Sequence, residues 1–198
     1  MAVTQSLSEE IEKKRAKILG NPDYFLKRSS FLRAHLRNLS NIYSYWLEHP
    51  EHRRAILSQN GVQTSQELKN VVSAGIRNVQ KAWDHLNSIG PKTGSFIPLV
   101  EPSLILDVAE KICLVNQGGY RDCRVSLGFT GYTPPNPMKV PELVDTFCNN
   151  LKASDLSQLE SAISVHLNLA AIQPFRDGNK RTARLIQDRI LSGYDLPP

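Results

Sequence analysis

The sequence predicts an all-α protein: a helical bundle with an N-terminal helical extension and one short β-hairpin flap. Apolar residues recur at three- and four-residue steps in several long stretches, the spacing of one helical face. Gly, Pro or Asn-Pro separates those stretches. Only residues 124–137, RVSLGFTGYTPPNP, show the alternation of β-branched and aromatic residues that reads as paired strands. At 198 residues, 40% of them hydrophobic and 22% charged, the chain is long enough to bury a core and lacks the composition of a disordered or low-complexity protein.

The elements follow in order. Ser6 to Glu10 form a capped start for a charged amphipathic run that ends before Asn21-Pro22. Residues 28–47 carry Phe31, Leu32, Leu36, Leu39, Ile42, Tyr43 and Trp46 on one face. Residues 65–89 repeat the pattern with Leu68, Val71, Val72, Ile76, Val79, Trp83 and Leu86, and Gly90-Pro91 ends it. The Gly, Pro and Ser of residues 90–103 mark the best internal boundary, giving an N-terminal helical region at 1–89 and a core at 90–198 that together form one unit. Beyond it come a helix over 104–115 stopped by Gly118-Gly119, the flap at about 123–135, and a helix opened by Pro141 that runs to about Leu151. Ser154 is the expected cap of the next helix, with Leu156, Leu159, Ile163, Leu167 and Ala170 as its inward stripe.

Several classes of function are set aside by composition. No apolar run reaches the roughly 18 to 20 residues of a membrane span, and the first 19 residues are too charged for a Sec-type leader. Three cysteines, Cys113, Cys123 and Cys148, fit neither a disulfide framework nor a zinc site, so a reducing cytoplasm is the expected location. The net charge of +5 is compatible with nucleotide phosphate or with nucleic acid, and is small for the latter.

Chemistry concentrates in AAIQPFRDGNKRTARLIQDRIL. Pro174 and Gly178 forbid helix continuation, and Thr182, Ala183, Leu185, Ile186 and Ile190 resume a helical stripe. The loop therefore delivers a fresh helix N-terminus, whose unpaired N–H groups and partial positive charge suit an anion such as phosphate. Arg176, Lys180, Arg181 and Arg184 add cations, and Asp177 is the single carboxylate able to hold a divalent metal between phosphate oxygens. Charge and glycine alone would equally suit a solvated, glycine-capped helix start.

The spacing Pro-Phe-x-Asp-Gly-Asn-x-Arg-x-x-Arg over residues 174–184 resembles the signature loop of the Fic family, H-P-F-x-[DE]-G-N-G-R-x-x-R. His166, seven residues before position 173, Gly118 to Arg121, Tyr132 to Pro135 and Val140 to Leu143 are similarly family-like, so that residues 101–192 carry the resemblance. It implies a Fic-type helical core that binds ATP and Mg²⁺ and transfers AMP to a Ser, Thr or Tyr hydroxyl of a target protein. By the same resemblance Gly178 and Asn179 shape the phosphate nest, Asp177 holds Mg²⁺, Lys180, Arg181 and Arg184 surround the phosphates, and Phe175 anchors the loop. Thr130, Gly131, Tyr132 and Thr133 form the flap that aligns a target segment by strand-like pairing.

Two positions depart from the pattern. Gln173 stands where the family has its general-base His, and an amide cannot take a proton at useful pH, although its carbonyl oxygen can orient a hydroxyl. Loss of a positioned base costs on the order of 10²- to 10⁴-fold in rate, so the expected adenylyltransferase is weakened or inactive. Lys180 stands where the adenylylating members have Gly and gives a Gly-Asn-Lys-Arg run similar to the Doc toxin branch, which moves the terminal phosphate of ATP to its target. A Doc-like kinase and a non-catalytic nucleotide- or protein-binding module are the alternatives.

Of the remaining candidates, His166 reads as a packed or capping residue, and His49, Glu51 and His52 as a solvated turn. Ser6 to Glu10 satisfies half of the family's inhibitory pattern, with Ile11 where Gly or Asn would follow, and autoinhibition is not expected. The expected partners are a protein target and a small inhibitor or antitoxin, with no membrane and no nucleic acid; the expected location is the cytoplasm, the chain's own or that of a host cell.

Overall fold

The computed structural model describes residues 66–90, 94–127 and 131–193, with positions 13, 42, 47, 49 and 51 besides. Apart from positions 13, 42 and 47, the helices expected over 6–19 and 28–47 lie outside the described residues, as do Thr130 and His52. Within them are five α-helices: α1 Gln66–Ser88, α2 Pro102–Ile112, α3 Val140–Ala153, α4 Gln158–Ile172 and α5 Asn179–Ser192. The last is the centre of the arrangement, packing closely along α4 and also against α1 and α2, while α3 lies on α4 and α2.

Helix α1 turns Val72, Val79, Ala82, Trp83 and Leu86 inward at helical spacing, whereas the predicted Val71 is half exposed. After Ser88 the chain does not leave the core. Phe96 and Val100, in the Gly- and Pro-rich segment expected to mark a boundary, are buried in the same cluster as Trp83 and Ile186. Arg189 of α5 secures this passage. Its buried guanidinium donates to Leu86 O at 3.2 Å and Ile89 O at 3.4 Å, carbonyls at and just past the end of α1, and lies 4.4 Å over the Phe96 ring. A cation there also complements the negative end of the α1 dipole.

Pro102 opens α2 at a position that needs no N–H donor. The helix stops three residues short of the expected Val115, because Cys113 turns to extended backbone (φ −147°) and Leu114–Asn116 form a separate 3₁₀ turn. The cause is Asn116, a buried side chain whose Nδ2 donates to Ala109 O near the end of α2 and to Asp177 O across the core.

Helix α4 corrects two expectations. Its N-cap is Ser157, not Ser154: Ser157 Oγ accepts from the Glu160 N–H while the Glu160 carboxylate accepts from the Ser157 N–H, a reciprocal capping box, and Ser154 closes α3 instead. The expected stripe is inward only in part, at the half-buried Leu159 and Ala170. Leu156, Ile163 and Leu167 are exposed, and the buried positions are Ser161, Ala162, Val165, Leu169 and Ile172. Small residues suit this face because α5 lies close along it. Two apolar stripes compete on one helix, and periodicity cannot rank them.

No strand forms among the described residues of 123–136, so the expected hairpin is an irregular segment there. Pro134, Pro135 and Pro137 cannot donate to a ladder, and Arg121 joins the two ends of the segment in place of one.

Replacing Arg189 by Met should lower unfolding stability by about 2–3 kcal/mol in urea titration, because two buried carbonyls lose a charged donor. The same measurement on Arg124→Ala, an exposed arginine, should differ from the parent by about 0.5 kcal/mol or less.

Candidate functional site

The site forms where α4 ends and α5 begins. Pro174 disfavours a helical residue before it, and Gln173 takes the left-handed conformation, φ 50° and ψ 62°, the one positive-φ non-glycine among the described residues. Such a backbone costs about 1–2 kcal/mol and persists only where its surroundings hold it. Here the Gln173 N–H donates to Leu169 O at 3.0 Å, its carbonyl accepts from Arg121 Nε at 2.6 Å, and its side-chain Nε2 donates to Ala170 O at 2.7 Å. The amide is thus folded onto the end of α4, with its Nε2 used as a cap.

Beyond this corner the loop is closed by its own residues. Phe175 is fully buried and stacks with Tyr120, ring centroids 5.9 Å apart. Asn179 clasps Phe175 with both ends of its amide: Oδ1 accepts the Phe175 N–H at 2.7 Å and Nδ2 donates to Phe175 O at 2.9 Å. Asn179 is therefore the loop's closure, with its side chain turned inward. Gly178 must be glycine, since its φ is +74° and a Cβ would sit 2.9 Å from Ile112 Cγ2. Thr182 N–H makes the first helical bond of α5, to Gly178 O, so the N–H groups of Asn179, Lys180 and Arg181 have no acceptor within the helix. No acidic side chain lies in this first turn, which leaves its positive end uncompensated from within the helix.

Asp177, half exposed, accepts from the Gly178 N–H at 2.6 Å, from Arg181 at 2.9 Å and from the Cys113 thiol at 3.4 Å. Burial works against its ionisation, but Arg181, the Gly178 N–H and the Cys113 thiol outweigh it and hold the carboxyl below its ordinary value. Burial pushes the Cys113 thiol upward, consistent with its role as donor. Arg181 is buried and directed at Asp177, not outward. Lys180 is exposed on the first turn, and Arg184, one turn on, donates from Nε to Lys180 O at 3.3 Å. Arg176 pairs at 2.6 Å with Asp122, both exposed.

The fit to Mg²⁺ depends on Asp177. No group of three or more His, Cys, Asp or Glu gathers among the described residues. A half-exposed carboxylate beside a helix N-terminus nevertheless suits this ion, which is commonly held by one or two carboxylates together with substrate phosphates and water.

Of the flap residues, Gly131, Tyr132 and Thr133 are exposed, and Tyr132 reaches back so that its hydroxyl donates to Ala171 O at 3.1 Å. His166 Nδ1 lies 2.7 Å from Gln187 Oε1 on α5, a packing role and not a place beside Gln173. Sequence reasoning missed a strap. Tyr120, Arg121 and Asp122 run alongside the motif loop, touching Phe175, Gln173 with Pro174, and Arg176 in turn. The signal was present in Gly118 to Arg121, a segment singled out in the sequence without a role.

Residues 100–191 match the profile of the Fic/DOC family. The chain is 36% identical over 84 residues to the protein adenylyltransferase Fic of Nematostella vectensis, which takes in 41% of this chain and 19% of that protein. With the protein adenylyltransferase Fic of Aedes aegypti it is 28% identical over 130 residues, 62% of this chain and 25% of the relative. It therefore spans a quarter or less of these relatives' length. Among solved structures, a Fic family protein from Desulfovibrio desulfuricans superposes with a TM-score of 0.63 at 19% identity, over 90% of this chain and 55% of that one. Fic-1 from C. elegans superposes with a TM-score of 0.58 at 23% identity, over 100% and 61%. At such identities the likeness is one of fold, and the helical architecture is shared.

Gly178→Ala should destabilise the protein by about 2–3 kcal/mol in urea titration, combining left-handed strain with the clash against Ile112. Gly119→Ala meets nothing within 4 Å at a φ of +91°, and should show only the strain, about 1 kcal/mol.

Proposed function

Residues 100–191 are a Fic/DOC-family segment, and from that premise we propose that this chain binds ATP with Mg²⁺ at the N-terminus of α5 and is a protein adenylyltransferase slowed at its proton-transfer step. The observation that carries the reading is the loop itself: a left-handed Gly178, a clasp by Asn179, and three helix N–H groups without a helical acceptor beside Lys180 and Arg184. Such an end binds phosphate through backbone donors and dipole together. In this reading Gly178 and Asn179 set the nest, Lys180, Arg181 and Arg184 meet phosphate oxygens, and Asp177 holds the metal. Mg²⁺, when bound, would neutralise charge on the phosphates. Arg181 would reach a phosphate by leaving Asp177, the carboxylate that would hold the metal.

The target's Ser, Thr or Tyr hydroxyl would lie near position 173, presented by a segment lying along Gly131, Tyr132 and Thr133. Gln173 Oε1 can accept a hydrogen bond from that hydroxyl and orient it, but cannot remove its proton. Rate is lost at that step while nucleotide binding is retained. The names of the curated relatives support AMP as the transferred group. Lys180, exposed on the first turn of α5, favours a second reading in which a Doc-like reaction transfers the terminal phosphate. A third, binding without turnover, is favoured by the capping role of the Gln173 amide.

Calorimetry with ATP and Mg²⁺ should show binding to the parent chain and a loss of about 10- to 100-fold in affinity for Arg184→Ala, the size expected of a charged hydrogen bond to phosphate. Equal or absent binding in both removes the nucleotide reading. Gln173→His should raise label transfer from α-labelled ATP by about 10²-fold or more. Label arriving only from the γ position would favour the kinase, and no label in either variant would favour the binding module.

A further inference from the structure

Arg121 is buried to 2% exposure, and all its side-chain partners are backbone carbonyls. Its Nε donates to Gln173 O at 2.6 Å, one terminal nitrogen to Cys123 O at 2.9 Å, and the other to Pro135 O at 2.6 Å and Ile172 O at 3.4 Å. Its own backbone N–H donates to Pro174 O at 2.9 Å. Burying a guanidinium against neutral acceptors alone is costly, and an apolar side chain of similar volume would fill the space more cheaply. What arginine supplies is a rigid fork of donors facing in different directions. Those directions matter here. Cys123 and Pro135 are the two ends of the flap, and Gln173 is the corner beside the phosphate-binding loop, so one side chain holds the neck of the flap and the corner together.

We infer that Arg121 is a positioning residue that closes the neck of the flap and fixes its distance from position 173, so that a polypeptide lying along the flap meets the side chain there. Its part in group transfer rests on the transferase reading, whereas its hold on the flap does not. Among the described residues no strand pairing supplies this closure. Pro134 and Pro135 lack N–H donors, and the described residues on either side form no ladder. Tyr132 ties the flap's exposed part to Ala171 near the end of α4, but it does not join the two ends. Lysine in place of Arg121 would keep the charge and lose the fork.

Hydrogen exchange followed by mass spectrometry, on the full chain and on Arg121→Lys, reads the hold directly. The lysine variant should exchange about tenfold or more faster over the flap and its neck, residues 121–136, where the Arg121 N–H is bonded to Pro174 O, with α2 and α5 unchanged, as a local opening does. Unchanged exchange in the flap overturns the proposal, and so does a uniform rise through every helix, which marks a merely structural residue. In the Gln173→His background, Arg121→Lys should cut label transfer from α-labelled ATP about tenfold or more, while ATP affinity by calorimetry stays within about twofold. A parallel loss of both, or an unchanged transfer rate, overturns the positioning role. Absence of ATP binding in every variant instead defeats the transferase reading, and the exchange measurement still decides whether Arg121 holds the flap.

Discussion

A helix N-terminus can receive an anion only if the chain arriving at it turns sharply and leaves the first N–H groups uncovered. In this protein that turn depends on the Asn179 side chain, which bonds both the N–H and the carbonyl of Phe175. The pair closes the loop, and burial of the Phe175 ring fixes where the loop lies. Gly178 can then take its left-handed backbone against Ile112. The Gly178 N–H is used within the loop by Asp177, and the next N–H groups are presented at the helix end. Remove the clasp and neither the turn nor the helix start has a reason to sit where it does.

The loop is held from outside by residues with little apparent connection to it in the chain. Tyr120 supports the Phe175 ring, Arg121 the corner at Gln173, and Asn116 the carbonyl of Asp177. Their common origin is the end of α2, which stops early so that residues 116–122 can pass along the loop. Arg189 plays the corresponding part at the far end of α5, joining it to the end of α1 and to Phe96. Both buried arginines donate to backbone carbonyls at or near the ends of helices and in the segments that follow them.

Gln173 stands at the left-handed corner between α4 and the loop. Its backbone occupies a strained corner that several hydrogen bonds maintain, yet its side chain cannot accept a proton and caps α4 instead. In the proposed reading binding and chemistry are separate: phosphate recognition would draw on backbone donors and cations, and proton removal on the side chain at position 173.

The all-helical class and the place of the loop between α4 and α5 were legible in the sequence, because helical periodicity, Pro174 and Gly178 are local signals acting within a few residues. The stripe expected on α4 holds only in part because Ile163 and Leu167 continue it as regularly as the residues that are buried, and only the approach of α5 selects between them. The cap at Ser157 was missed because Ser154 and Ser157 are both competent and three residues apart; the carboxylate of Glu160 decides. The flap read as a hairpin from its alternating residues, while its prolines and the reach of Arg121 made it irregular. By itself, then, the sequence determined the helical class, the turn and the chemical groups available at it. Only the tertiary structure decided that Asn179 faces inward, that Arg181 answers Asp177, and that Arg121 joins flap to loop, because each is a contact or burial set by how distant segments pack, and no periodicity records that.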